Sequence, residues 1–596
     1  MASKRIVQTL VFSLILLSMA LSACGTTTSV PTEPAAADAQ QATAVQTTEP
    51  TAVEQQPTDV QTTQPATEVA TAATSDDTPR GIVTYSREGN TSFTRNFNPF
   101  SASALYGTTQ VIYEPLIIYN PAKDEIIPWL ATGYKWGEDG KSLTFTLRDG
   151  VKWSDGEPFS AADVVATFDI LKKSFANNGM DYLDSVEAVD NLTAKFNFNR
   201  VYSMAIYEVG AQVIVPEHIW KDVEDPVKFT NENPVGTGPF TDVASFESQV
   251  YELHRNNAYW QEGKPYIEGI RIPAYSGNDQ ANMATVNGEN DWADQFIQDV
   301  DKVYVSKDKE NFHYWFASTS YTVQLILNQT RAPFDDPIVR KAVSMALNRD
   351  QIIKVGMYGY PQPSDITGLN AGFASWKDES LLNTKEDWTK QNVEKANQML
   401  DEAGYTRGSD GIRLTKDGKP MKFELIVGAA STDWTANSQI IAQNLKEIGM
   451  DVTVNAQDWG LVIEREQKGD FDMGHSWSSN GATPYFFYRS VFDCDYTKPI
   501  GEVTNENYHR GCNKDATELL KQFAGTFELD KQKEIIKQVE NIYYQDAPAI
   551  PLFTSPEWGE YNTTRFSGFP NAENPYATLA GRAATAVIVY TTIKPK

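Results

Sequence analysis

Cysteine is scarce in this chain, with three in 596 residues, and histidine is nearly as rare, with five. The histidines are scattered without metal-ligand spacing, which argues against a nickel role and implies no metal and no cofactor. None sits in a catalytic motif: there is no HExxH, no nucleophile elbow and no Ser/His/Asp context. Positive charge is short as well. Lys and Arg number 51 against 78 Asp and Glu, for a net charge of −27. No basic stretch could neutralise phosphates, so nucleic acid is excluded as a partner, and anionic ligands are disfavoured by long-range repulsion. Aromatic residues are missing from the first 80 positions except for Phe12, and all 13 Trp lie beyond them. After residue 20 no apolar run is long enough to span a bilayer.

One shorter apolar run does exist. Ile6 to Ala20 follows the positive pair Lys4 and Arg5. It falls short of the roughly 20 residues of a spanning helix and has the length of a signal-peptide core. Leu21-Ser22-Ala23-Cys24 then resembles the lipobox of bacterial lipoproteins. That resemblance implies cleavage after residue 23, lipidation of Cys24, and an exported protein anchored to the outer face of the cytoplasmic membrane. Residues 24–80, rich in Thr, Ala, Gln and Pro, cannot offset the entropy of ordering and read as a disordered tether. As a flexible coil it reaches roughly 40 Å. With Cys24 assigned to lipid, Cys494 and Cys512 are left as an even pair, which an oxidising compartment favours as a disulfide.

From Gly81 onward strands and helices intermix over a length that suits two or three domains. Gly81 to Tyr85 and the alternating Leu143 to Leu147 read as strands. Ser160-Ala161-Ala162-Asp163 is a capping box opening a helix over 164–173. Asp336-Pro337 supplies an N-cap and an N1 proline for a helix over 338–347. A helix over 393–403 stops at Gly404. Another over 438–448 stops at Gly449 and leads into a strand over 451–454, an α/β crossover. Gly236-Thr237-Gly238-Pro239 reads as tight, positive-φ backbone where the chain crosses between domains. The class is α/β with a substantial antiparallel part.

Four blocks, in order, resemble the extracellular solute-binding proteins of family 5, the receptors of ABC importers. They are Leu130 to Trp136 with Asp139 to Phe159 and Ala162 to Val165; Pro234 to Phe240 with Arg255-Asn256 and Tyr259-Trp260; Pro333 to Pro337 with Val339 to Ala342; and Leu445 to Val452 with Gly469-Asp470-Phe471-Asp472-Met473. The resemblance implies two lobes that hinge shut on a solute, with 81–120, 236–325 and 546–596 as the first lobe, 121–235 as a domain inserted in it, and 326–545 as the second. It also implies a monomer that delivers its solute to a membrane permease.

Peptide binders of that family hold the ligand ammonium with an aspartate shortly after the Gly-Asp-Phe-Asp-Met strand. Here the run His475 to Tyr488 contains no acid, and a buried ammonium without a counter-charge costs several kcal/mol. The run offers Trp477, Ser478, Asn480, Tyr485 and Tyr488 instead. Aromatic faces with neutral hydrogen-bonding groups suit a sugar. The stretches Pro484 to Arg489 and Lys498 to Glu502 resemble the branch that takes cello-oligosaccharides, whereas the cysteine positions resemble the disulfide of dipeptide binders. Tyr85, Ser86, Tyr106 and Trp292 are the expected contacts from the first lobe, and Trp434 lines the cleft. A neutral oligosaccharide is the favoured ligand and a di- or oligopeptide the alternative. A surface-anchored glycoside hydrolase and a sensor without a permease are the readings from other classes.

Overall fold

The computed structural model describes residues 81–87, 89–174, 180–317 and 321–596. The signal sequence, Cys24 and the tether lie outside the described residues. Three sheets organise the rest. The first lobe is built on seven strands in the order Phe312–Tyr314, Glu560–Asn562, Trp292–Ala293, Ile82–Ser86, Gly269–Pro273, Val250–Arg255 and Phe240–Glu247. The second lobe has six, in the order Gln362–Pro363, Ile550–Thr554, Thr322–Leu327, Met473–Trp477, Lys422–Gly428 and Asp451–Gln457. Four antiparallel strands between residues 131 and 198, covered by the helix Ala161–Ser174, form the third. One apolar core runs through the first lobe and the four-stranded sheet into the helices between 484 and 546. A second core packs around the six-stranded sheet. Among the described residues no helix is long and apolar enough to cross a membrane.

Local signals shape the helix ends. The Ser160 amide donates to Asp163 Oδ2 at 2.8 Å, one half of a capping box, and Ser160 Oγ accepts from the Ala162 amide at 3.3 Å in place of the Asp163 amide. Asp336 Oδ1 accepts from the Ile338 amide, and the helix starts at Pro337. Other expectations need correction. The helix expected over 438–448 spans Thr432–Glu447. Its first turns carry Thr, Asp, Asn and Ser, poor helix formers on propensity, and packing of Trp434 and Ile440 holds them helical. Strand Ile550–Thr554 pairs with Thr322–Leu327 in the second lobe's sheet, not the first's. A strand's sheet is set by its partner, which its own periodicity does not name.

Gly236 and Gly238 serve a different need from the one read off the sequence. Neither is among the residues with positive φ. A Cβ at either would stand 2.0 Å from a backbone oxygen, of Ile112 and of Val111 respectively. They are glycines because two backbones touch there. Cys494 and Cys512 are bonded, with Cα atoms 4.8 Å apart.

Candidate functional site

In the second lobe, strand Lys422–Gly428 runs parallel to Asp451–Gln457 on one side and to Met473–Trp477 on the other. The helices that leave the first two strands cover opposite faces: Ile441 and Leu445 pack with Leu425 and Val427, while Val462 packs with Ile426. Helices that part to opposite faces leave a crevice at the carboxyl ends of the strands, where open α/β sheets bind ligands.

Three tryptophans fill that crevice. Trp434 stands in the first turn of helix Thr432–Glu447, Trp459 opens helix Trp459–Lys468, and Trp477 ends its strand. Ring centroids are 5.6 Å apart for Trp434–Trp459 and Trp459–Trp477, and 6.1 Å for Trp434–Trp477. Trp434 is 8 % exposed, whereas Trp459 and Trp477 are only half-buried and present indole surface outward. Trp459 lies directly on Gly428, where a Cβ would come within 2.1 Å of its ring. Its Nε1 donates to Ser431 Oγ at 3.3 Å.

The first lobe obeys the same geometry. Strand Ile82–Ser86 is parallel to Gly269–Pro273 and to Trp292–Ala293. The helix Asn278–Val286, just beyond the carboxyl end of the second of these, touches the second lobe. The Asn278 amide donates to the Ala430 carbonyl at 3.2 Å, and its Nδ2 reaches Thr432 Oγ1 and Asp433 Oδ1, both at 3.4 Å. The carboxyl ends of both parallel strand sets thus face one another. Glu557, between the second-lobe strand Ile550–Thr554 and the first-lobe strand Glu560–Asn562, donates its amide to the Ala317 carbonyl. Burial pushes the Glu557 carboxyl up to about 7, against the pull of Arg582, which is itself bonded to Asp294 at 2.8 Å.

Of the residues expected at the site, Trp434 and Trp477 come together. The others lie elsewhere. Tyr85 stacks on Tyr106 at 4.3 Å inside the first lobe, and its hydroxyl donates to Asp294. Trp292 is fully buried and donates to the Leu579 carbonyl. Ser86 donates to Gln295 Oε1. Ser478 prolongs the sheet, exchanging bonds with the Thr322 backbone. Asn480 is exposed beside Asn370, and Tyr488 is buried with its hydroxyl on the Thr367 carbonyl. The buried ones among them owe their packing to partners from distant chain segments, Gly581 for Tyr106 and Leu579 for Trp292 among them.

Tyr485 belongs to another place. It lines a cavity of about 710 Å³ with Tyr182, Tyr202, Arg489, Asp493 and Tyr496, where the four-stranded domain meets the second lobe. Arg489 bonds Glu208 at 2.5 Å and holds Glu506 bidentately at 2.7 and 3.0 Å. Trp459 was missed from the sequence. The signal available was its position two residues past a strand leaving an α/β crossover.

The model of the bacterial extracellular solute-binding proteins, family 5, matches residues 125–499. The chain is 28% identical to the nickel-binding periplasmic protein of Escherichia coli over 373 residues, covering 61% of this chain and 69% of that protein. It is 26% identical to a glutathione-binding protein of Salmonella paratyphi A over 440 residues, covering 71% and 79%. Among solved structures, a periplasmic oligopeptide-binding protein of an ABC transporter from Thermotoga maritima, with mannohexaose bound, superposes with a TM-score of 0.79. Its identity is 27%, and the match covers 87% of this chain and 99% of that one. An oligopeptide-binding protein of Bacillus subtilis in complex with a nonapeptide shares the fold, with a TM-score of 0.73 at 20% identity over 86% of this chain and 98% of that one.

Proposed function

Because the chain belongs to the bacterial extracellular solute-binding proteins of family 5 and so serves an ABC importer, we propose that its solute is a neutral oligosaccharide. The observation that carries this is the Trp434–Trp459–Trp477 cluster at the carboxyl ends of three parallel strands. Half-buried indoles give flat apolar faces for the C–H sides of pyranose rings. Ser431, Thr432 and Asn278 stand around them as neutral donors and acceptors. The mannohexaose bound to the Thermotoga maritima relative supports the same class. The lobes close over the ligand by hinge motion, and the monomeric receptor then delivers it to the permease.

Calorimetric titration with manno-, cello- and xylo-oligosaccharides beside di- to pentapeptides tests the reading. Saturable binding of an oligosaccharide, recovered unhydrolysed, is the expected result. Tight peptide binding with no response to any sugar would overturn it, and turnover of the sugar would favour the hydrolase. Trp477→Ala and Trp459→Ala are each expected to weaken binding at least roughly tenfold, as loss of a desolvated aromatic contact does. Cys24 anchors the receptor by lipid in this reading. Cys24→Ser is expected to release it from the membrane fraction into the soluble one, read by fractionation.

A further inference from the structure

Trp434 is sandwiched at its base by a histidine. The imidazole of His475 lies parallel beneath the indole, with centroids 4.6 Å apart and 11° between the planes. Its Nδ1 is 3.0 Å from Ser438 Oγ, and that hydroxyl donates to the Trp434 carbonyl at 2.9 Å. A serine hydroxyl has one proton. Having given it to the carbonyl, Ser438 must accept from His475, so the proton of the neutral ring sits on Nδ1. His475 is 0 % exposed, and its Nε2 has no partner.

Local periodicities put these groups in one column. Trp434 and Ser438 are four apart on one helix and share a face; His475 and Trp477 are two apart on one strand and share a face. Trp434 lies across both members of the strand pair. Burial pushes the His475 pKa down to about 3, so the ring stays neutral and stacks without carrying charge.

We propose that His475 is a positioning residue for the solute site, fixing the tilt of Trp434 and, through it, the two outward-facing indoles Trp459 and Trp477. This deepens the proposed function and rests on it for the identity of the ligand, although the geometry of the column does not depend on any ligand. A histidine serving only to fill the core would be replaceable without disturbing the indoles' mutual orientation.

Near-ultraviolet circular dichroism of the ligand-free protein reads that orientation, and titration with mannohexaose reads its consequence. His475→Ala is expected to change the tryptophan bands and to weaken mannohexaose binding roughly tenfold, the worth of one lost aromatic pair. His475→Phe, which restores a flat ring, is expected to return both readouts to within about threefold of the unaltered protein. A folded His475→Ala protein with unchanged tryptophan bands overturns the proposal, and so does a Phe variant no better than Ala. Changed bands without any mannohexaose binding by the unaltered protein would instead overturn the sugar reading and leave the column standing. If alanine at 475 prevents folding, Ser438→Ala loosens the same imidazole from its other side. It is then expected to shift the tryptophan bands away from those of the unaltered protein while His475→Phe keeps them, and unchanged bands in Ser438→Ala count against the column.

Discussion

Gly428 and Trp459 show how much of this site is decided atom by atom. The indole rests on a backbone that carries no side chain, and any Cβ there would enter the ring. Gly428→Ala is therefore expected to swing Trp459 off its seat and weaken oligosaccharide binding by several-fold, less than Trp459→Ala, with emission shifted as the indole moves into water. Unaltered emission and affinity would mean that the loop yields without moving the ring. At this scale the sequence was partly legible. Trp477 and Trp434 announce themselves as large aromatic groups near a strand end and a helix start. Tyr85, Tyr106 and Trp292 look the same in one dimension, and only distant partners, the Asp294 carboxylate for Tyr85 and the carbonyls of Gly581 and Leu579 for the other two, make them core. Composition marks a tryptophan as valuable, but its neighbours decide whether it faces solute or protein.

Elements rather than residues explain the junction between the four-stranded domain and the second lobe. Helix Pro484–Phe492 is buried along its whole length. Its apolar side joins the core that the four-stranded domain shares with helices 514–546. Its one guanidinium, on Arg489, answers two carboxylates: Glu208 from the four-stranded domain and Glu506 from the second lobe. Nearby carboxylates hold the guanidinium charge in place against burial. Arg489→Met keeps the volume and strands both acids, and is expected to destabilise the protein by about 3–5 kcal/mol, measured by denaturant unfolding. A loss under 1 kcal/mol would show that water reaches the carboxylates. Element boundaries set by capping chemistry, such as Ser160 with Asp163 or Asp336 with Pro337, were readable in advance because the signal is local. The membership of strand 550–554 was not, because it is settled by a partner more than 200 residues away.

For the whole molecule, buried titrating groups fix the pH at which the fold is firmest. Glu466 and Glu540 are fully buried, and burial raises each to about 8 from an ordinary 4.5. Their folded values lie above the unfolded ones, so their stabilising contribution is complete below about 4.5 and is lost as pH rises towards 8. His475 and His509 are lowered by burial to about 3 and about 4. Their folded values lie below the unfolded 6.5, so their contribution is complete above about 6.5 and is lost as pH falls through 4. Each group changes stability by about 1.4 kcal/mol per pH unit within its window. The two slopes oppose each other between about 4.5 and 6.5. Glu557, raised by burial to about 7, adds a third acid slope, so the unfolding midpoint is expected to fall gently from about pH 4.5 to 6.5, more steeply above, and also below 4.5 as the histidines charge, checked by calorimetry in a buffer series. Stability still climbing from pH 6.5 to 8 would contradict the placement of the two glutamates.

The seven-stranded sheet has a consequence for how the chain is made. Its central strand, Ile82–Ser86, is the first strand among the described residues, yet its neighbours arrive at 269 and 292, and Trp292–Ala293 is closed only by Glu560–Asn562. A polypeptide emerging amino end first must hold its opening strand unpaired while some 200 residues follow, and cannot seal that lobe until almost the last turn of synthesis. Loop closure over such distances is slow. Exposed strand edges invite pairing with other chains in the meantime. Quality control is thereby built into the topology: a chain cut short after residue 555, by about its final fifteenth, keeps all six strands of the second-lobe sheet and leaves the first sheet without Glu560–Asn562.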